Sequence, residues 1–320
     1  MELTKIKEFY YLMKLGREFE IKAKQEYMKG NIAGFLHLDI GQEAVSVGSM
    51  VAFDKGDIFT HYREHLLAIA RGMSIKEVMA ELFGKKTGVS KGKGGSMHLF
   101  EPKLNFYGGD AIVGGHLPLA VGCAYARKIK GENAGVFVIF GDGATNSGAF
   151  FESINNATTQ KLPIIFFLEN NQYAIGTHIT QTSPFKEQYH KVKSFMPTMQ
   201  VDGMDVIEVY ESVIKAKEYI EQGLGPIFIE ADTYRYEGHS VADAGKYRSE
   251  EEIEIYKSRD PINKIRQKGF EIGITEEWFN ETDDKIQKEI EEAVEFALNS
   301  PEPDESDLYE DFYNLNGKVI

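Results

Sequence analysis

Residues 61–65 read His-Tyr-Arg-Glu-His, two imidazoles four positions apart with a carboxylate just before the second. On a helix, positions i and i+4 share a face, so this H-x-x-E-H spacing could turn both rings toward one zinc ion, as in inverted zinc peptidases. A polar helix start, with histidines that only cap and meet solvent, has the same five letters. Zinc also needs a third ligand on a nearby helix, and the sequence supplies no obvious one.

A second group of residues suits a different ion. The run VFVIFGDGATNSGAFFE (136–152) delivers Gly141-Asp142-Gly143 to the end of an apolar, strand-like segment. Open α/β sheets bind ligands at that end of their strands. Glycine lets the chain turn sharply and approach a phosphate, and a following helix offers its first N–H groups to an anion. About thirty residues after Gly141, a second apolar segment ends in LENNQYAIGT, with the pair Asn170-Asn171. Neighbouring strand ends would bring Asp142 and Asn171 together. One carboxylate, one amide oxygen and a nearby backbone carbonyl make a hard, all-oxygen set that fits Mg²⁺ completed by phosphate oxygens. An aspartate cap and an asparagine-rich turn would explain either half alone. The dinucleotide pattern G-x-G-x-x-G fails, because Asn146 stands where its third glycine belongs, and no G-x-x-x-x-G-K-[ST] occurs.

Positioning these groups requires a sheet. Short apolar runs at 134–140, 162–169 and 225–234 are separated by helical patterns. They predict parallel strands buried on both faces, with 144–160 as a crossover helix. Ahead of them, Leu3, Ile6, Tyr10, Met13 and Phe19 follow helical periodicity over 3–29, with Gly30 as the C-cap. A glycine-rich stretch fills 84–115. Ser249 and Glu252 form a capping-box pattern, and Ile286, Ile290, Val294 and Ala297 line one face of a later helix stopped by Pro301. The expected architecture is α/β, a parallel sheet flanked by helices, as one domain over 1–320. It has an N-terminal helix (1–30) and a C-terminal helical extension with an acidic tail (250–320).

Bulk properties narrow the partners. The 320 residues carry a net charge of −14, from 50 acidic and 36 basic side chains. That sign disfavours nucleic acid and an anionic membrane surface. The lone Cys123 excludes an internal disulfide and a cysteine-based zinc site, and its small apolar neighbours suit a structural thiol. The N-terminus has no signal-peptide pattern and no apolar run approaches a membrane span, so a cytoplasmic protein is expected.

G-D-G followed by N-N at this spacing resembles the thiamine-diphosphate motif. The chain resembles the alpha subunits of the thiamine-diphosphate-dependent 2-oxo acid dehydrogenases, in particular the pyruvate dehydrogenase first component. The likeness runs from about residue 20 to 265. It includes GFLHLDIGQEAV (34–45), HYREH, GKGGSMHLF (92–100), FYGGDAIVGGHLPLAVG (106–122), VDGMD (201–205) and TYRYEGHS (233–240). The acetoin and branched-chain 2-oxo acid dehydrogenase alpha subunits are close alternatives; the short segment 240–252 leans toward the acetoin type.

The resemblance implies a ligand set and a division of labour. Asp142, Asn171 and the carbonyl of Tyr173 would hold Mg²⁺, which grips the diphosphate. Tyr62 and Arg63 would touch the diphosphate, and Gly143 and Ala144 would donate backbone N–H groups to it. Ala111 and Val113 would line the ring region; Ala111 stands where the pyruvate enzymes carry glycine. His239 resembles an active-site histidine on a loop closing over the cofactor, and His37 a second one near the substrate carboxylate. His65 is expected to turn toward the cofactor from a helix that begins within HYREH. The glutamate that activates the cofactor belongs to a beta subunit. The implied unit is therefore an α₂β₂ tetramer that decarboxylates a 2-oxo acid and passes the acyl group to a lipoyl-acyltransferase.

Overall fold

The computed structural model describes residues 1–132 and 134–310. In chain order its strands are β1 (Asp57–His61), β2 (Phe106–Asp110), β3 (Val136–Gly141), β4 (Ile164–Asn170), β5 (Tyr173–Ala174), β6 (Thr177–His178), β7 (Thr198–Asp202) and β8 (Ile227–Asp232). The α-helices are α1 (Leu3–Met28), α2 (Glu43–Ala52), α3 (His65–Arg71), α4 (Ile75–Leu82), α5 (His116–Lys130), α6 (Gly148–Thr159), α7 (Val206–Glu221), α8 (Glu250–Lys257), α9 (Pro261–Glu271) and α10 (Glu276–Asn299).

Six strands form one sheet in the order β2-β1-β3-β4-β8-β7, with every pairing parallel. Side chains alternate between its two faces. Val136, Val138 and Phe140 of β3 pack with Ile164, Phe166 and Leu168 of β4 under α5 and α6. Phe137, Ile139, Ile165 and Phe167 point the other way, into the core shared with α1, α2, α7 and α10. Both faces are covered, which is why these strands read as continuous apolar runs.

The predicted strands 134–140, 162–169 and 225–234 are β3, β4 and β8. The helix predicted over 3–29 is α1; past its end, the Gly30 amide donates to the Tyr27 carbonyl. Ser249 caps α8 by accepting from the Glu252 amide, but the Glu252 carboxylate bonds Tyr173 and Tyr234 instead of returning to the cap. Ile286, Ile290, Val294 and Ala297 are buried along α10. Residues 301–310 of the expected acidic tail lie against the glycine-rich segment, with Lys86 pairing Asp304 and Asp307 and Lys85 pairing Glu302; the remainder of the tail lies outside the described residues. No described helix is long and apolar enough to cross a membrane.

One local expectation is corrected. HYREH is not the first turn of a helix: His61 ends β1, and α3 begins only at the last of the five residues, His65. The two histidines therefore sit on different elements. Among the described residues, no group of three His, Cys, Asp or Glu side chains could hold a metal ion, so the zinc reading has no site.

Candidate active site

From β1 the chain steps to β2 on one side, then crosses over β1 to β3 on the other. That reversal opens a crevice beyond the carboxyl ends of the strands, the place where doubly wound sheets bind ligands. The cavity there is lined by His61-Tyr62-Arg63 after β1, Asp110 and Ile112-Val113-Gly114 after β2, and Gly141-Asp142-Gly143-Ala144 after β3. Glu169, Asn171 and Tyr173 follow from β4, and Arg235 from the segment beyond β8.

The Asp142–Asn171 juxtaposition follows from register. β3 and β4 pair with Gly141 opposite Glu169, so the residues just beyond each strand share one end of the sheet. Asp142 opens a short 3₁₀ turn, and the Thr145 hydroxyl donates to its carbonyl. The crossover helix α6 starts six residues beyond Asp142, at Gly148, capped by Ser147. Thus the 3₁₀ turn, and not the first turn of α6, presents Gly143 and Ala144 to the cavity. A Cβ on Gly143 would stand 2.9 Å from the Ala174 Cβ, so only glycine lets the two segments approach this closely.

An oxygen-preferring cation fits the donors present. Asp142 is 2% exposed, and its Oδ2 has no hydrogen-bond partner. Burial, with the Glu169 charge, pushes its carboxyl up to about 7, outweighing a backbone hydrogen bond and the pull of Arg235 and Lys191. The Asn171 amide nitrogen donates to Gln42 at 2.8 Å, while its oxygen accepts the Tyr173 amide at 3.2 Å. The Tyr173 carbonyl accepts from Arg235 at 3.2 Å. A buried orphan carboxylate oxygen, an oriented amide oxygen and a carbonyl already facing a cation are the chemistry of a Mg²⁺ site.

The expected histidines divide into two groups. His37 and His239 meet edge to face, and the Tyr62 ring lies 4.7 Å from His37 and 5.7 Å from His239. Both histidines have a buried Nδ1 without a partner. Burial and the nearby Arg63 charge push His37 down to about 2 and His239 down to about 4, so both rings are neutral. Arg63 is itself buried, donating to the Leu38 carbonyl at 2.6 Å and the His239 carbonyl at 2.9 Å. It links the His37 segment, the β1 end and the His239 loop. His65 departs from expectation. Its ring is fully buried on Glu20 and Ser96; none of the three histidines lines the cavity itself, but His37 and His239 stand against Tyr62, which does. Val113 lines the cavity with Ile112, whereas Ala111 is exposed and absent from the lining.

The lining also includes Glu169 and Arg235, which no motif singles out, and His116, whose sequence context reads as a structural histidine. Glu169 is 1% exposed and lies 3.1 Å from the His61 ring; burial raises its carboxyl, against the pull of Arg63 and Arg235. Burial and the Arg63 charge lower Arg235 to about 10. His116 donates to or accepts from nothing at Nδ1, and its Nε2 lies 2.8 Å from the Ile139 carbonyl. Glu169 adjoins the asparagine pair and Arg235 precedes His239 by four positions, so proximity to recognised motifs was the available signal. Cys123 is half-buried and donates to Asp57; burial raises its thiol to about 12, consistent with an unreactive group.

A doubly wound sheet with an oxygen-lined turn at its switch point defines an α/β enzyme that holds an anionic cofactor there. The family model described as "Dehydrogenase E1 component" matches residues 11–306. A protein of Rickettsia bellii named pyruvate dehydrogenase E1 component subunit alpha is 44% identical over 311 residues, covering 96% of this chain and 95% of that protein. Proteins of the same name from Rhizobium meliloti and Porphyra purpurea are each 44% identical, covering 94% and 96% of this chain and 88% and 93% of their own lengths. The chain belongs to the dehydrogenase E1 component family, whose members are thiamine-diphosphate-dependent 2-oxo acid dehydrogenases.

Proposed function

We propose that this chain is the alpha subunit of a pyruvate dehydrogenase first component, acting in the cytoplasm as half of an α₂β₂ enzyme. Its whole length would form one cofactor-binding domain, with α1 and the helices beyond residue 250 packed as extensions. The observation that carries the reading is the orphaned Asp142 carboxylate oxygen, buried beside Asn171 and the Tyr173 carbonyl at the switch point. Near-full-length similarity to pyruvate dehydrogenase alpha subunits supports pyruvate over the acetoin and branched-chain alternatives.

Thiamine diphosphate, when bound, supplies the carbanion and electron-sink chemistry that lets a 2-oxo acid lose CO₂. The residues of this chain hold and surround it. Asp142, Asn171 and the Tyr173 carbonyl would ligate Mg²⁺ against the diphosphate, with N–H groups of Gly143 and Ala144 donating to phosphate oxygens. Tyr62 and the Arg63 guanidinium face the same charge. Val113 and Ile112, both exposed in this chain, would give the ring region an apolar wall once cofactor and partner cover them. His37 and His239, both neutral with an unpartnered Nδ1, would offer the substrate uncharged hydrogen-bonding groups. The cofactor-activating glutamate would come from a beta subunit, and the acyl group would pass to a lipoyl-acyltransferase.

Co-expression with a beta subunit, followed by a panel of pyruvate, acetoin and 3-methyl-2-oxobutanoate, tests this reading. Turnover is expected with pyruvate and only in the assembled complex. Decarboxylation by the isolated chain, or preference for another substrate, would contradict it.

A further inference from the structure

His37 lies in a stretch, residues 35–39, that has no regular secondary structure, yet residues 36–39 are all buried. Buried irregular backbone must find its partners outside a ladder. Here the His37 amide donates to the Ser96 hydroxyl at 3.3 Å, Arg63 donates to the Leu38 carbonyl, and the Asp39 amide donates to Glu20 at 3.1 Å. The same stretch accepts the Val241 amide at Leu36 and the Tyr236 amide at Ile40, so it also holds both ends of the His239 loop.

His65 connects two of these anchors. Its Nδ1 lies 2.9 Å from Glu20, and its Nε2 lies 2.9 Å from the Ser96 hydroxyl and 3.1 Å from the Ser96 carbonyl. Glu20 is 1% exposed and His65 is fully buried. Burial disfavours the imidazolium, but the charge and hydrogen bond of Glu20, with Asp39 beyond, outweigh it and raise His65 above the ordinary range. Nδ1 faces a carboxylate and Nε2 a backbone carbonyl, both acceptors only, so a ring donating at both ends leaves the Ser96 hydroxyl oxygen to accept the His37 amide. Ser96 is set in turn by the glycine-rich segment, whose amides at Ser90, Gly92, Gly94 and Gly95 all donate to the buried Glu81 carboxylate.

We propose that His65 is a positioning residue that fixes the His37 backbone beside the cavity by tying Ser96, under the His37 amide, to Glu20, under the Asp39 amide. This rests on the reading of His37 as an active-site residue. It replaces direct contact of His65 with the cofactor by action through its neighbour.

The test compares Ser96→Ala, Ser96→Thr and His65→Gln, alone and with His37→Gln, in the chain co-expressed with its beta subunit. Ser96→Ala and His65→Gln are each expected to lower kcat roughly tenfold, the worth of one charge-assisted or buried hydrogen bond, with KM for thiamine diphosphate held within about twofold. Ser96→Thr keeps the hydroxyl and should restore most of the loss. In the His37→Gln background, His65→Gln should cost nothing further. Independently of activity, ring resonances of His37 in the histidine-labelled, cofactor-free full chain should move in both single variants. Unmoved His37 resonances, or full additivity of His65→Gln with an impaired His37→Gln, would overturn the positioning role. An active His37→Gln enzyme would instead remove the catalytic role of His37, while displaced resonances would still support its positioning by His65.

Discussion

The rings of His37 and His239 stand 5.1 Å apart at 80°, edge to face, though they are far apart along the chain. Neither is charged: burial first, then Arg63, depresses both below the ordinary histidine range. A depressed histidine binds its proton less tightly folded than unfolded, so stability is present above the unfolded value and lost as pH falls toward the folded one. For His239 that window runs from 6.5 to about 4. Thermal melts of the cofactor-free chain should therefore fall across this range. The fall should be shallower in His239→Gln and His37→Gln, while their melting temperatures near pH 8 change little. Parallel pH curves for wild type and both variants would refute neutral burial of the pair.

Asp142 carries the opposite sign. Its folded carboxyl is raised from 3.8 to about 7, so the folded chain holds that proton more tightly, and stability declines as pH rises through this window. At pH 8 the buried charge, whose Oδ2 has no hydrogen-bond partner, is a net cost despite the nearby Arg235 and Lys191. Asp142→Asn should stabilise the cofactor-free chain by roughly 2 kcal/mol, a rise of several degrees in melting temperature, and remove that slope. The same substitution should abolish Mg²⁺-dependent cofactor binding. A destabilised Asn variant would contradict a net cost of burying that charge.

The glycine-rich segment 84–95 looks like a second phosphate cradle, but its amides are already spent on Glu81. Gly92, at φ +76°, lies where an added Cβ would come within 2.5 Å of the Gly84 carbonyl oxygen, so the wrap is built for this one carboxylate. Removing the acceptor strands four half-buried donors. Glu81→Ala should cost about 3–5 kcal/mol in chemical denaturation, with Glu81→Gln intermediate. A loss under about 1 kcal/mol would mean the loop keeps its shape without the carboxylate.

The site was legible where a residue's chemistry and its place on a strand end coincide. β3 and β4 are long apolar runs, so their ends, and the meeting of Asp142 with Asn171, could be read from spacing. β1 (DIFTH), β2 (FYGGD) and β7 (TMQVD) are short and carry polar or glycine residues; their strand character comes from neighbours in the sheet, which no local pattern encodes. HYREH misled for that reason. A strand end in its first residue breaks the helical spacing that suggested zinc, and His65 turns inward because Glu20 on α1 is there to receive it. Glu169 and Arg235 were hidden differently: inside an apolar strand or a tyrosine-rich run, a charged residue gains meaning only from the cavity it faces.

The central claim is that Asp142 and Asn171 hold Mg²⁺ against a diphosphate at the β3–β4 end. Titration calorimetry of thiamine diphosphate into the assembled complex, with and without Mg²⁺, addresses it directly for wild type and Asp142→Ala. Wild type should bind tightly only with Mg²⁺, and Asp142→Ala should lose that Mg²⁺-dependent binding altogether. Equal, Mg²⁺-dependent affinity in the two proteins would place the ion elsewhere and contradict the assignment.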